Sequence, residues 1–153
     1  MIEYKAPEKW IKDKRPSIFL AGSIEQGKAE NWQEKVVRCL SNKDVVFINP
    51  RRESWDSTWE QSIDNPKFFE QVDWELDSLE KVSHILMYFD PNTKSPISLL
   101  ELGLFARSYK LLVICPEGFW RKGNVDIVCK RYGINQLNNI DEFINNFDDI
   151  IEQ

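Results

Sequence analysis

The stretch HILMYFDPNTKSPISLLELGLFARSYKLLVIC, residues 84–115, decides the fold of this chain. It opens with an apolar run at 84–89 and closes with a second apolar run at 111–115. Between them, Ser95 and Pro96 have the residue types that are favoured at the N-cap and first position of a helix. Two continuous apolar strands joined by a helix predict parallel strands in a sheet that is covered on both faces.

The same alternation continues on both sides of this stretch. It predicts further strands at 17–21, 45–48 and 134–137, and helices at 28–40, 67–82, 124–131 and from about 141 onward. Nothing in the sequence marks an internal boundary or a repeat, so we expect one α/β domain over residues 1–153. In such sheets ligands bind beyond the carboxyl ends of the strands, which here carry turn and polar residues.

Composition excludes several classes of function. A net charge of −5 gives no basic footprint for a nucleic-acid partner. The three separated cysteines, Cys39, Cys115 and Cys129, predict reduced thiols, and with His84 as the only histidine neither a metal site nor a serine–histidine triad is expected. The sequence shows no signal core and no apolar run of membrane length, so we expect no membrane association and a cytoplasmic location.

Glu101 stands alone in the most apolar part of the chain. At helical spacing it aligns with Ile97, Leu104 and Phe105, which predicts that it lies on a buried face. A buried carboxylate needs a partner or a chemical use. Two interpretations follow: a structural carboxylate paired with an arginine or capping a loop, and a nucleophile or general base. Gly103 in the same helix predicts the close approach of another group.

The turn after the first strand, Gly22-Ser23-Ile24, is a second candidate site. Its backbone N–H groups and hydroxyl have the chemistry to hold a phosphate or a sugar, although an ordinary strand-to-helix turn is an equally simple interpretation. The turn matches neither a P-loop nor a dinucleotide fingerprint, so neither ATP nor NAD is indicated and no cofactor is expected.

Four segments, taken in order, resemble the nucleoside 2-deoxyribosyltransferase family and its nucleotide N-glycosidase relatives. They are FLAGSI at 19–24, ELDSLEKVS at 75–83, ELGLFA at 101–106 and FWRKGNV at 119–125, and the likeness extends from about residue 18 to about residue 134. The resemblance implies a flavodoxin-like (Rossmann-like) three-layer sandwich with a five-stranded parallel sheet. It also implies cleavage of the N-glycosidic bond of a nucleoside or nucleotide, with release or exchange of the free base.

The same resemblance assigns roles to residues. Glu101 would be the nucleophile that forms a covalent glycosyl ester, and Glu75 would manage the proton on the leaving base. The 22–24 turn would bind substrate. Asn124 and Asp126 would complete the active site of a neighbouring subunit, so that a homo-oligomer shares its active sites.

Two departures from the family pattern leave the substrate open. Glu75 replaces the usual aspartate, and Ser95 stands where transferases commonly carry aspartate and the monophosphate glycosidases carry a phosphate-binding serine. A nucleoside 5′-monophosphate N-glycosidase is therefore the alternative to a deoxyribosyltransferase. A nucleotide-binding module without turnover is a further alternative, which the presence of both glutamates argues against.

The long polar segment 51–66 supplies the last candidates. Arg51 could neutralise an anion and Trp55 could stack on a base. A surface loop that is anchored by its tryptophans explains the same residues equally well.

Overall fold

The structure of the protein, a computed structural model, describes residues 1–25, 30–52 and 54–152. The strands are β1 (Ile2–Lys5), β2 (Ser17–Gly22), β3 (Val46–Asn49), β4 (His84–Tyr88), β5 (Leu111–Ile114) and β6 (Asn135–Leu137). The helices are α1 (Trp32–Cys39), α2 (Pro66–Lys81), α3 (Pro96–Phe105), α4 (Lys122–Tyr132), α5 (Ile140–Asn145) and α6 (Phe147–Ile151). The start predicted for the first helix, at Lys28, lies outside the described residues. The single terminal helix that was predicted from about 141 divides into α5 and α6 at Asn146.

The strands form one parallel sheet in the order β1-β3-β2-β4-β5-β6. Without β1 this is the flavodoxin-like order, which confirms the predicted fold class. The predicted number of five strands is wrong by one, because β1 adds an edge strand that pairs with β3 from Ile2 to Lys5. With only four residues, β1 has the shortest length at which apolar–polar alternation identifies a strand.

Alternate residues of the four central strands, β2 to β5, enter two apolar layers. Ile18 and Leu20 of β2 pack in the layer that contains the apolar faces of α1, α5 and α6. Phe19 and Ala21 pack in the opposite layer, with residues of α2, α3 and α4. The sheet is therefore covered on both faces, as the continuous apolar strands predict. None of the helices in the described ranges has the length and apolar content that a membrane crossing requires.

The strand order reverses between β2 and β4, which pair directly from Ile18 to Gly22. Ligands of open α/β sheets bind at the carboxyl edge beside this reversal, because the loops from the two strands diverge to opposite faces there. The segments that follow β2 and β4 contain several of the residues that the sequence analysis selected. The fold thus places them around one point.

Candidate functional site

Strands β2 and β4 approach closely at their carboxyl ends, where Gly22 lies opposite Tyr88. Gly22 has a φ of 129°, and a Cβ atom added to it would lie 2.1 Å from the carbonyl oxygen of Tyr88. The same oxygen accepts a hydrogen bond from the N–H of Ser23 at 3.0 Å. Only glycine fits this position, because any side chain would collide with backbone. The contact with Tyr88 therefore explains the glycine at this position without a bound ligand.

Three buried hydroxyl groups meet just beyond this contact, and we call them the hydroxyl triangle: Ser23, Thr93 and Ser95. Ser23 Oγ lies 2.8 Å from Thr93 Oγ1 and 2.6 Å from Ser95 Oγ, and the last two atoms are 2.8 Å apart. The N–H of Asp90 also donates to Ser23 Oγ at 2.9 Å. These hydrogen bonds hold the segment after β2 against the segment after β4. Sequence reasoning missed Thr93, because a threonine in a turn carries no signal of burial.

Ser95 is the N-cap of α3, as predicted, but its side chain makes no capping hydrogen bond. Its hydroxyl is held in the hydroxyl triangle, and its backbone is left-handed, with φ 45° and ψ 53°. The predicted N-cap position of Ser95 is therefore confirmed, without a capping bond from its side chain. Contact between Ser95 and a substrate phosphate stays a prediction, and it would require the hydroxyl to exchange its bonds within the triangle.

Glu25 bonds to the backbone at Lys94 and Ser95, immediately before the first residue of α3. Its Oε1 accepts hydrogen bonds from the N–H groups of Lys94 at 3.1 Å and Ser95 at 3.2 Å. A carboxylate is stabilised at this end of a helix by the unpaired N–H groups and the helix dipole. The sequence analysis missed Glu25, since a contact across 70 residues is not visible in local sequence. Ile24, the neighbouring candidate, is half-buried, and its substrate role stays a prediction.

Two cations and a tryptophan lie next to this contact. The indole N–H of Trp120 donates to the carbonyl oxygen of Lys94 at 2.8 Å. The Nζ atom of Lys94 lies 4.4 Å from the Trp120 ring centroid, and the guanidinium carbon of Arg121 lies 4.5 Å from it. The negative charge of Glu25 is thus set beside a locally positive surface.

Glu101 lies in the second turn of α3 and on the face that points into the protein. It is 8% exposed, and Ser98 and Leu102 on the same face are also buried. The expected companions Ile97 and Leu104 lie instead on the outer face, 58% and 59% exposed. The helix is apolar on nearly all sides, so spacing alone could not show which side faces the core.

No described residue pairs with Oε2 of Glu101, a buried atom. The structural interpretation, an arginine pair or a loop cap, therefore finds no support at this atom. The helix dipole also gives little help, because its effect falls off within the first turn and Glu101 lies beyond it. Burial and then the charge of Glu75 raise the pKa of Glu101 to about 8.

Glu75 projects from α2 and is largely withdrawn from water. Burial raises the pKa of Glu75 to about 7, and a hydrogen bond from Gln71 partly opposes this rise. Burial is the largest cause of both rises, and repulsion between the two carboxyl groups adds to the rise at Glu101. The two groups therefore titrate as a coupled pair.

The side chains of the 51–66 segment that were proposed to meet substrate are engaged within the chain. Arg51 Nε donates to Oε1 of the buried Gln33 at 2.9 Å, and burial lowers the pKa of Arg51. The Trp55 ring lies with its centroid 4.9 Å from that of Trp59 and 6.4 Å from that of Phe68. These contacts fit the alternative of a loop anchored by its aromatic residues. Binding of an anion by Arg51 and of a base by Trp55 stay predictions.

The two candidates on α4 differ in their surroundings. Asn124 is exposed, whereas Oδ1 of Asp126 accepts hydrogen bonds from Lys122 at 3.1 Å and Gln136 at 2.9 Å. Asp126 would have to give up part of this pairing to bind a ligand. The role of both residues in a neighbouring subunit's site stays a prediction.

The structure therefore assembles the candidates into two groups. Ser23 and Ser95 meet directly and are joined by Glu25, while Glu75 and Glu101 form an electrostatically coupled pair. Arg51, Trp55 and Asp126 make their recorded contacts elsewhere.

A comparison with known families gives a match over most of the chain. The model of the family described as nucleoside 2-deoxyribosyltransferase like matches residues 15–119. The match spans β2 to β5 and includes both glutamates and the hydroxyl triangle, whereas Asn124 and Asp126 fall beyond it. None of the curated proteins compared with the chain matches it. With more than half of its length matched, the chain belongs to the nucleoside 2-deoxyribosyltransferase-like family.

Proposed function

We propose that the protein cleaves the N-glycosidic bond of a deoxynucleoside and transfers the sugar through a covalent ester on Glu101. The observation that carries the proposal is the coupled pair of carboxyl groups, buried Glu101 and half-buried Glu75, with pKa values raised to about 8 and about 7. Strongly shifted carboxyl groups cluster at catalytic sites, because acid–base chemistry near neutral pH needs them.

The reaction follows double displacement. A carboxylate oxygen of Glu101 bonds to the anomeric carbon, the carbon–nitrogen bond breaks, and its electron pair leaves with the base. The carboxylic proton of Glu75 moves to the base nitrogen, so the base departs neutral. A second base, or water, then attacks the anomeric carbon and displaces Glu101. Its proton passes to Glu75, which restores the starting state with retained configuration.

The reactive form of the pair carries one proton, on Glu75, and leaves Glu101 ionised. A singly protonated pair is most abundant between its two apparent pKa values. We therefore expect kcat/KM to peak between about pH 7 and about pH 8 and to fall on both sides.

Glu25 supports a nucleoside over a 5′-monophosphate as the substrate. Its carboxylate occupies the N–H groups of Lys94 and Ser95, which immediately precede α3 and would otherwise be available to a phosphate. A phosphate group would have to displace a charge of its own sign, whereas a neutral 5′-hydroxyl would not. The monophosphate N-glycosidase stays as the second candidate, because Lys94 and Arg121 place positive charge nearby.

A second copy of the chain is proposed as the partner. Ile97, Leu100 and Leu104 form an outer apolar face on α3, each more than half exposed. A Cβ atom added to Gly103 would meet nothing described within 4 Å, so the close approach predicted there is not made inside the chain. A helix that is apolar on all sides is normally covered on all sides.

One experiment tests the reaction. Purified protein is incubated with deoxyinosine and free adenine, and in parallel with each deoxynucleoside monophosphate, and the products are separated by chromatography. We expect deoxyadenosine from the first mixture, and free base from the monophosphates alone would favour the second candidate. Absence of turnover in every mixture, with ligand binding retained, would show that the protein is a binding module.

Variants test the role of Glu101. Glu101→Ala should abolish exchange and also the sugar adduct that intact-mass measurement detects on the wild type after rapid quenching. The matched control is Glu60→Ala, which removes an exposed glutamate and should leave both unchanged. Exchange that persists in Glu101→Ala would refute the assignment of the nucleophile.

A further inference from the structure

Gln71 is a buried residue that the reaction above does not use. It lies on α2 four residues before Glu75, so the two side chains share one face of the helix. It is 5% exposed, and its Nε2 donates to Glu75 Oε1 at 2.7 Å and to the carbonyl oxygen of Pro50 at 3.1 Å. Gln71 thus joins the proton-carrying carboxyl group to the carboxyl end of β3.

These two hydrogen bonds fix the orientation of the amide. A primary amide has two N–H donors, and both are used here. The flipped orientation would place Oε1 against the Pro50 carbonyl, an atom that can only accept. Nε2 must therefore point toward Glu75 and Pro50, and Oε1 must point away from them.

Gln71 Oε1 is consequently held in place as a hydrogen-bond acceptor that has no donor. It is buried and has no hydrogen-bond partner among the described residues, as is also true of Glu101 Oε2. A buried polar atom without a partner typically costs about 1–3 kcal/mol, so such atoms are normally paired in the working state. One unpaired oxygen belongs to the residue that donates a hydrogen bond to Glu75, and the other belongs to the residue whose pKa the charge of Glu75 raises. A ligand with N–H or O–H donors would satisfy these two oxygens.

We propose that Gln71 recognises the leaving base. Its Nε2 atom aligns Glu75, and its Oε1 atom accepts a hydrogen bond from an N–H group on the edge of the base. The inference rests on the proposed function, in which Glu75 faces the base to which it gives its proton. The preferred ligands are bases with an N–H group on the six-membered ring edge, such as adenine or hypoxanthine. Unsubstituted purine has the same rings without that donor, so it is the matched probe.

Turnover gives the first test. We compare kcat/KM for deoxyadenosine with that for the deoxyriboside of unsubstituted purine, in the wild type and in Gln71→Met. The ratio should favour deoxyadenosine in the wild type and fall roughly tenfold or more in the variant, because a site with an unused acceptor penalises a base without a donor. Structural damage would lower both rates alike, so an unchanged ratio in the variant overturns the inference.

Binding gives a second test that does not depend on turnover. Calorimetry measures the affinity of free adenine, hypoxanthine and unsubstituted purine for Glu101→Gln protein, with and without Gln71→Met. Preference for the first two bases that disappears with Gln71→Met supports the inference, even if the wild type proves to have no transferase activity. Equal affinity for all three bases, or no binding of any, overturns it without needing a folded Gln71 variant.

A separate measurement, the pKa of Glu75, tests whether Gln71 aligns this residue. Glu101 of α3 is the charged group that the structure couples to Glu75, and the Gln71 hydrogen bond lowers the pKa of Glu75 against the effect of burial. Removing the bond in Gln71→Met should raise that pKa above about 7, measured by carbon NMR of the glutamate carboxyl groups. An unmoved or lowered pKa overturns the positioning role.

Discussion

Replacing Glu101 by glutamine should stabilise the protein, and the gain should grow as the pH rises. Burial and the charge of Glu75 raise the pKa of Glu101 from 4.5 to about 8. Such a carboxyl group binds its proton more tightly in the folded chain than in the unfolded chain. Its stability contribution is therefore intact below about pH 4.5 and is lost progressively as the pH rises toward about 8. Glutamine has no proton to lose.

The size of the effect follows from the two pKa values. Each pH unit between them costs about 1.4 kcal/mol of unfolding free energy, as long as the unfolded glutamate is ionised and the folded one is not. The accumulated cost is about 3 kcal/mol at pH 7 and about 5 kcal/mol above pH 8. A domain of this size is typically stable by roughly 5–15 kcal/mol, so the gain is a large fraction of the total.

Urea unfolding from about pH 5 to about pH 9 measures the difference between wild type and Glu101→Gln. Protein concentration is held constant, because association of copies would itself change the apparent stability. Glu60→Gln, at an exposed glutamate, is the control and should show no such slope. Parallel curves for wild type and Glu101→Gln across this range would refute the burial argument.

Three further outcomes are expected. Gly22→Ala should destabilise the protein by about 3 kcal/mol or more in urea unfolding, because the new Cβ would collide with the Tyr88 carbonyl. Gly103→Ala is the control and should stabilise the protein by up to about 1 kcal/mol. Equal effects of the two substitutions would contradict the close approach of Gly22 to Tyr88. Leu100→Glu should lower the mass found by sedimentation if a second copy covers the outer face of α3, and an unchanged mass would exclude that face. Glu25→Gln should raise the affinity for deoxynucleoside monophosphates relative to deoxynucleosides by roughly tenfold in calorimetry, and an unchanged ratio would show that Glu25 does not select against phosphate.

Local sequence was sufficient to predict most of the fold. Apolar runs predicted β2 to β5 near their observed positions, because strands buried on both faces must be apolar throughout, and the short strand β6 was also predicted near its place. The edge strand β1 was missed because it is short and partly exposed, and its pairing with β3 brings together residues about 44 positions apart. The break at Asn146 that divides the terminal helix was also not predicted.

The candidate site was predicted less completely. Glu101 was recognisable because a single charge in an apolar run is rare, and its burial is confirmed. Two of its three expected companions, Ile97 and Leu104, were predicted wrongly, because the pattern of an all-apolar helix does not show which side faces the core. Glu25 and Thr93 gave no local signal, since their partners lie 70 residues away in sequence.

By itself, the sequence determined the alternation of strands and helices, the resemblance to a family and the isolation of Glu101. These are properties of neighbouring residues, and periodicity and composition express them directly. Only the tertiary structure decided that Glu25 bonds to the backbone immediately before α3, that burial raises the pKa of Glu75, and that Gln71 keeps one acceptor free. Hydrogen bonds and desolvation depend on which distant segments meet and on how much water they exclude, and neither quantity is written in local sequence.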